Sequence, residues 1–146
     1  MNHIPLLAHS CAKVNLALSV LGRRADGYHE IRTIFQTIGL WDDLEFRPSA
    51  GLELSCEGLQ GVRAEDNLVY KAASLLLETL IGSRGVSITL RKRIPAGAGL
   101  GGGSGNAAVT LLALRRFWGV DISDGELAGI AARLGSDVPF FLGGGT

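Results

Sequence analysis

The chain has 146 residues, of which 47% are hydrophobic and 19% charged, a composition that excludes a disordered protein. Its 14 basic and 14 acidic residues give a formal net charge of zero, which argues against a nucleic-acid partner. No apolar stretch approaches the ~20 residues of a membrane span, and no secretory signal is visible, so we expect a cytoplasmic protein with no membrane partner.

The N-terminal part of the sequence predicts β-strands. Residues 13–18 alternate polar and apolar side chains, which places Lys13, Asn15 and Ala17 on one face of a strand. The opposite face would carry Val14, Leu16 and Leu18. Asp26-Gly27 predicts a turn, and residues 31–38, 43–47 and 52–55 predict further strands.

The C-terminal part predicts three helices around one strand. Asp66-Asn67 would cap a helix over residues 68–80 that ends at Gly82, and residues 86–90 alternate as a strand. A helix over residues 106–118 follows, and then a capping box of Ser123 and Glu126 begins a helix that stops at Gly135. This order predicts one α+β or layered α/β domain over residues 1–146.

Residues 95–104, here called the glycine segment, stand out between the last strand and the second helix. Five of the nine residues from Pro95 to Gly103 are glycines, a density expected where backbone must approach another group closely. A glycine-rich loop that opens onto a helix N-terminus presents free N–H groups and a positive dipole end. The segment therefore predicts an anion site, with phosphate as the favoured anion.

Three interpretations of this segment follow from its own residues and from the strand before it. Gly97-x-Gly99-x-x-Gly102 matches the dinucleotide fingerprint, but the preceding strand alternates and lacks the continuous apolar run of a buried parallel strand. Gly97-x-x-x-x-Gly102 begins like a P-loop, but Gly103-Ser104 stands where Lys-Ser/Thr is required. A turn that merely packs helix on strand is the third interpretation.

Four motifs in chain order support a fourth interpretation. They are Ala12-Lys13-Val14-Asn15-Leu16, Arg24-Ala25-Asp26-Gly27-Tyr28-His29-Glu30, Pro95-x-x-x-Gly99-Leu100-Gly101-Gly102-Gly103-Ser104, and Leu134-Gly135-Ser136-Asp137-Val138-Pro139-Phe140-Phe141. Together they resemble the superfamily of galactokinase, homoserine kinase, mevalonate kinase and phosphomevalonate kinase. The second motif, with Phe35-Gln36, resembles the branch that phosphorylates the 2-hydroxyl of a cytidine diphosphate derivative in non-mevalonate isoprenoid synthesis.

The resemblance implies a fold and a division of the whole protein. The fold would be a β-rich two-layer N-terminal domain with a left-handed βαβ crossover, followed by a ferredoxin-like C-terminal domain that this chain lacks. Because the chain stops on an apolar segment that runs into Gly143-Gly144-Gly145-Thr146, we expect it to be part of a longer protein.

The resemblance also implies roles for individual residues, with ATP and Mg²⁺ as cofactors. Asp137 would take the proton of the acceptor hydroxyl, and Lys13 would pair with it. The substrate, a small cytidine diphosphate derivative, would contact Asn15, Tyr28, His29 and Phe35. ATP would contact Pro95, Gly97, Ala98, Gly99, Leu100, Gly101, Gly102, Gly103, Ser104, Asn67, Leu68 and Lys92, and Ser104 would be a candidate Mg²⁺ ligand.

Plainer interpretations exist for the same residues. Asp137 would serve equally as a helix cap beside Pro139, Lys13 as a solvated strand residue, and Asn67 as a cap alone. Gly105 departs from the serine that most relatives carry and removes a hydroxyl contact. Besides the kinase, the sequence leaves open a non-catalytic nucleotide-binding fragment, another small-molecule kinase of the superfamily and, more distantly, a dehydrogenase.

Overall fold

A computed structural model describes residues 4–23, 25, 27, 29–80 and 84–146, with the backbone alone at residues 29 and 31. The strands are β1 (Leu6–Arg23), β2 (His29–Arg47), β3 (Leu52–Glu57) and β4 (Val86–Arg91). The helices are α1 (Leu68–Glu78), α2 (Gly102–Phe117), α3 (Asp124–Leu134) and α4 (Val138–Gly143), and a 3-10 turn spans Ala64–Asp66. The predicted turn residue Asp26 and the predicted helix stop Gly82 lie outside the described residues.

The four strands form one mixed sheet in the order β1-β2-β4-β3. β1 and β2 are a long antiparallel pair, β2 is antiparallel to β4, and β3 is parallel to β4 with α1 in the crossover between them. Alternate residues of β4, namely Val86, Ile88 and Leu90, are buried and pack in one core with residues of the helices. This mixed sheet with packed helices confirms the predicted α+β class, while the hand of the crossover stays a prediction.

β2 is longer than the sequence pattern indicated. Strands at 31–38 and 43–47 were expected as separate elements, but a single strand runs through Gly39-Leu40-Trp41-Asp42. The alternation breaks there because Ala12 pairs with Ile38 and Cys11 with Trp41, so the β2 residues between them have no directly opposite partner on β1. Asp42, directly after the irregularity, is fully buried.

A second irregularity corrects the predicted faces of β1. Asn15 pairs with Phe35, but Ala17 pairs with Ile34 and Leu18 with Thr33, so Leu16 is an extra residue. The extra residue reverses the alternation, and Leu18 rather than Ala17 lies on the face of Lys13 and Asn15. Leu16 and Leu18 are also 62% and 57% exposed, so this end of the strand is not half-buried.

The helices follow their predicted capping signals closely. The Asn67 side chain accepts a hydrogen bond of 2.9 Å from the Val69 N–H at the start of α1. Ser123 and Glu126 form the expected capping box of α3, and Gly135 follows its last turn. α2 begins at Gly102, four residues before the predicted start, because Gly102, Gly103 and Gly105 adopt helical backbone and the glycine segment supplies the first turn.

We expect Ser123→Ala to lower the free energy of unfolding by about 1 kcal/mol, because an N-cap side chain satisfies an otherwise unpaired N–H. Urea denaturation would measure the loss. Ser74→Ala, within α1, is the matched control and should leave stability unchanged or slightly higher, because alanine is the better helix former. Equal losses in both variants would contradict a capping role for Ser123.

Candidate functional site

The glycine segment lines a cleft of about 460 Å³ between α1, α2 and the start of α4. Three of its glycines, Gly97, Gly99 and Gly101, have φ near +70°, a conformation that other residues rarely adopt. The predicted phosphate and nucleotide residues all border this cleft, namely Pro95, Gly97, Ala98, Gly99, Leu100, Gly101, Gly102, Gly103, Ser104, Asn67, Leu68 and Lys92. A glycine-lined cleft at the start of a sixteen-residue helix is suited to an anion.

Gly101 brings the glycine segment against β1 and α4. A Cβ on Gly101 would lie 2.8 Å from Phe141 Cζ, a distance that real Cβ atoms do not show, and 3.0 Å from Lys13 Cγ. The Lys13 N–H also donates a 2.9 Å hydrogen bond to the Leu100 carbonyl. The segment is therefore fixed against the strand that carries Lys13.

Lys13 and Asp137 come together in this cleft from opposite ends of the sequence. The Lys13 Nζ lies 3.5 Å from Asp137 Oδ2, and the lysine side chain is only 7% exposed while that of the aspartate is 34% exposed. Asp137 occupies the N-cap position of α4, but its side chain makes no capping hydrogen bond. Its carboxylate is therefore available to the lysine and to the cleft rather than used as a helix cap.

Asn15 and Phe35 surround the same ammonium group. Lys13 Nζ donates a 2.6 Å hydrogen bond to Asn15 Oδ1 and lies 4.7 Å from the centre of the Phe35 ring. Asn15 in turn donates to Thr33 Oγ1 at 2.8 Å. Of the four predicted substrate residues, the structure thus brings these two to Lys13, whereas Tyr28 and the His29 side chain lie outside the described residues.

The buried Asp42 carboxylate next to the cleft accepts four hydrogen bonds. Its Oδ1 accepts from the backbone N–H groups of Arg93 and Ile94 at 2.6 and 2.8 Å. Its Oδ2 accepts from Lys92 Nζ at 2.5 Å and from Asn106 Nδ2 at 2.9 Å. Burial alone would raise the pKa of Asp42, but these hydrogen bonds outweigh it and hold the pKa below its ordinary value.

Gly105 does not face the cleft. A Cβ there would point toward Ser10 Oγ at 2.8 Å and the Cys11 carbonyl at 3.1 Å, in the packing between α2 and β1. Ser10 Oγ is buried and has no hydrogen-bond partner among the described residues. A side chain in place of Gly105 would therefore be crowded against Ser10 and Cys11 rather than reach into the cleft.

Sequence reasoning did not assign the cleft residues Leu59, Val62, Asp66 and Asn106 to the site. Leu59 and Val62 come from the turn after β3, where Gly58 approaches the Lys92 carbonyl so closely that a Cβ would lie 2.7 Å from it. In the sequence, the only local signal for this turn is the pair of glycines Gly58 and Gly61. Both have positive φ in the structure. Asp66 and Asn106 were considered only as helix-terminal residues.

Residues 67–145 match the family described as GHMP kinases N terminal domain. The chain belongs to this family. The match includes α1, the glycine segment and Asp137, which line most of the cleft.

Individual relatives of this GHMP kinase domain are similar over nearly the whole chain. The 4-diphosphocytidyl-2-C-methyl-D-erythritol kinase of Syntrophus aciditrophicus is 52% identical over 134 residues, which are 91% of this chain and 48% of that protein. The protein of the same name from Symbiobacterium thermophilum is 54% identical over 133 residues, which are 90% of this chain and 47% of that protein. The chain thus spans about half the length of these relatives.

Solved structures agree with the fold. A crystal structure of 4-(cytidine 5'-diphospho)-2C-methyl-D-erythritol kinase superposes with a TM-score of 0.82 at 48% identity, over 94% of this chain and 48% of that one. Homoserine kinase from Cytophaga hutchinsonii superposes with a TM-score of 0.68 at 19% identity, over 99% of this chain and 44% of that one, and shows the fold alone. Within the described ranges, no helix is both long and apolar enough to cross a membrane.

Proposed function

We propose that this chain is the catalytic N-terminal half of a kinase that transfers the γ-phosphoryl group of ATP to the 2-hydroxyl of 4-diphosphocytidyl-2-C-methyl-D-erythritol, in non-mevalonate isoprenoid synthesis. The observation that carries the proposal is the Lys13–Asp137 pair, whose charged atoms lie 3.5 Å apart in the cleft that the glycine segment lines. The substrate follows from the names of relatives that are 45–54% identical.

ATP fits the cleft because the glycine segment can present backbone amides there without side chains. Residues 97–104 would bind its phosphates through N–H groups and the positive end of α2. Asn67, Leu68 and Lys92 border the same cleft and would contact the adenosine. A kinase achieves phosphoryl transfer mainly by such positioning and by neutralising the charge of the phosphates.

The oxygen-bearing side chains of the cleft are compatible with Mg²⁺. Ser104, Asp66 and Asp137 all border it, and Mg²⁺ prefers oxygen ligands while keeping several of its waters. Ser104 would be its protein ligand, and the ion would supply positive charge that offsets the charge of the transferred group.

Asp137 would act as the general base toward the acceptor. As the acceptor oxygen forms its bond to the γ-phosphorus and the bond to ADP breaks, the hydroxyl proton passes to the Asp137 carboxylate and then to solvent. Lys13, held by Asn15 beside Asp137, would favour the ionised carboxylate and stabilise negative charge near the transfer. Asn15 and Phe35 would contact the acceptor, while Tyr28 and His29 would hold its cytosine.

The remainder of the protein belongs to the proposal as well. A ferredoxin-like C-terminal domain would follow Thr146 and complete the cleft wall, in agreement with relatives about twice as long as this chain. We also infer a cytoplasmic location, because Cys11 and Cys56 are both free thiols, the state that a reducing compartment maintains.

The test is a coupled assay of ADP formation by the full-length protein with ATP, Mg²⁺ and the cytidine diphosphate substrate. We expect turnover that cytidine diphosphate inhibits by competition with the acceptor and not with ATP. The 146-residue chain assayed alone would show how much of the activity it retains. Absence of turnover in the full-length protein, or equal turnover with homoserine or mevalonate, would contradict the proposal.

A further inference from the structure

Asp42 lies outside every sequence motif of the site, yet one carboxylate contacts both flanks of the glycine segment. Its two backbone donors, Arg93 and Ile94, immediately precede Pro95. Its side-chain donor Asn106 belongs to α2, two residues after Ser104. The end of β4 and the start of α2 are thus bound to the same carboxylate, which is 0% exposed.

Between these two anchor points the segment is also held at Leu100 and Gly101, which contact β1 and α4. Gly97, Gly99 and Gly101 have positive φ and carry no side chains that would limit their backbone. Gly97 and Gly99 also have open space around their Cα atoms. The backbone conformation of residues 97–99 therefore depends on how firmly the segment is held at its two ends as well as at Leu100 and Gly101.

The buried ammonium of Lys92 requires a negative charge nearby, and Asp42 is the carboxylate in contact with it. The Lys92 Nζ lies at the start of α2, where a Cβ on Gly102 would meet it at 3.0 Å, and the lysine side chain is only 7% exposed. A buried ammonium beside the positive end of a helix is unfavourable without a compensating charge. Asp42 supplies that charge, and Asn106 Oδ1 accepts a further bond from the ammonium at 3.1 Å.

We propose that Asp42 is a positioning residue that fixes both ends of the glycine segment and so sets the geometry of the ATP phosphate site. The inference deepens the proposed function and rests on it. Asp42 acts through Lys92, Asn106 and the backbone of residues 93–94, and it borders neither ATP nor the acceptor.

The test compares Asp42→Asn with wild type in the full-length protein. Asparagine keeps an oxygen for the two backbone donors but turns an amide toward Lys92 and Asn106, both of which donate at that point. We expect the KM for ATP to rise at least tenfold, with the KM for the acceptor within twofold of wild type. Amide hydrogen exchange of residues 96–104 should become at least tenfold faster in the absence of nucleotide.

Two further variants make the experiment specific. Leu127→Ala, in the buried part of α3, is the control for general destabilisation and should leave the KM for ATP and the exchange of residues 96–104 within twofold of wild type. Asn106→Ala removes one anchor while keeping the Asp42–Lys92 pair, so it serves if Asp42→Asn does not fold. We expect Asn106→Ala to raise exchange of residues 96–104 about threefold.

The outcomes separate the inference from the proposed function. If the full-length wild type shows no turnover, the proposed function fails, and the exchange measurement alone decides whether Asp42 holds the segment. Unchanged exchange and unchanged KM for ATP in Asp42→Asn would overturn the inference, as would equal effects of Leu127→Ala. Where only Asn106→Ala folds, exchange at the wild-type rate would overturn it.

Discussion

Asp137→Asn is expected to lower kcat of the full-length protein about 10²–10⁴-fold, the usual contribution of a general base. Asparagine has nearly the same shape, but it cannot accept the proton of the acceptor hydroxyl. Because the proton moves only during transfer, kcat and kcat/KM should fall together while the KM for ATP changes little. Steady-state kinetics with varied ATP and varied acceptor would measure both.

The matched control for this substitution is Asp121→Asn. Asp121 is an exposed carboxylate in the loop before α3, away from the cleft, and its loss should leave kcat within twofold of wild type. A rate for Asp137→Asn within threefold of wild type would remove Asp137 as the base. Lys13 and the glycine segment would then have to account for the rate enhancement by positioning and charge alone.

Local signals in the sequence predicted much of the fold because each has a short-range physical cause. The Asn67 cap and the Ser123–Glu126 capping box satisfy N–H groups only two or three residues away. The helix starts predicted from them are therefore correct. Residues 86–90 alternate regularly, and the strand they form buries the expected face. These features depend on neighbours in sequence and do not require knowledge of the tertiary arrangement.

Features that depend on distant parts of the chain were not predictable in this way. The extra residue Leu16 in β1 is defined only by its pairing with β2, and nothing in the alternation of residues 13–18 announces it. The sequence showed α4 only as an apolar segment that runs into a glycine turn, whereas the structure forms a six-residue helix there, with Val138 and Phe141 buried. Tertiary packing decided both cases.

The candidate site shows the same division. The glycine segment, Lys13 and Asp137 were recognised from motifs, and the structure places them around one cleft. Asp42 carries no motif, since an Asp-Asp pair between two apolar runs is typical of a solvated turn. Only the fold brings its hydrogen-bond donors to its carboxylate, because residues 92–94 and Asn106 lie 50 to 64 positions away in sequence.

Gly101→Ala should disrupt the cleft, because the added methyl group combines backbone strain with overlap. Alanine at φ +68° is strained by about 1–2 kcal/mol, and its Cβ would also overlap the Phe141 ring and the Lys13 side chain. Overpacking of this kind adds about 1–3 kcal/mol, so we expect a total loss of about 2–5 kcal/mol in the free energy of unfolding. Displacement of the Gly101 backbone from the proposed phosphate site should also raise the KM for ATP at least thirtyfold.

Gly97→Ala is the control that separates strain from overlap. Gly97 has nearly the same φ, +73°, but open space around its Cα, so alanine there should cost only the strain of about 1–2 kcal/mol. Chemical denaturation of both variants gives the difference, and ATP kinetics show whether the overlap reaches the site. If the two variants lose equal stability, the close approach of Gly101 to Phe141 and Lys13 does not exist in solution. The hydrogen bond from the Lys13 N–H to the Leu100 carbonyl is then the contact that joins the glycine segment to the Lys13–Asp137 pair.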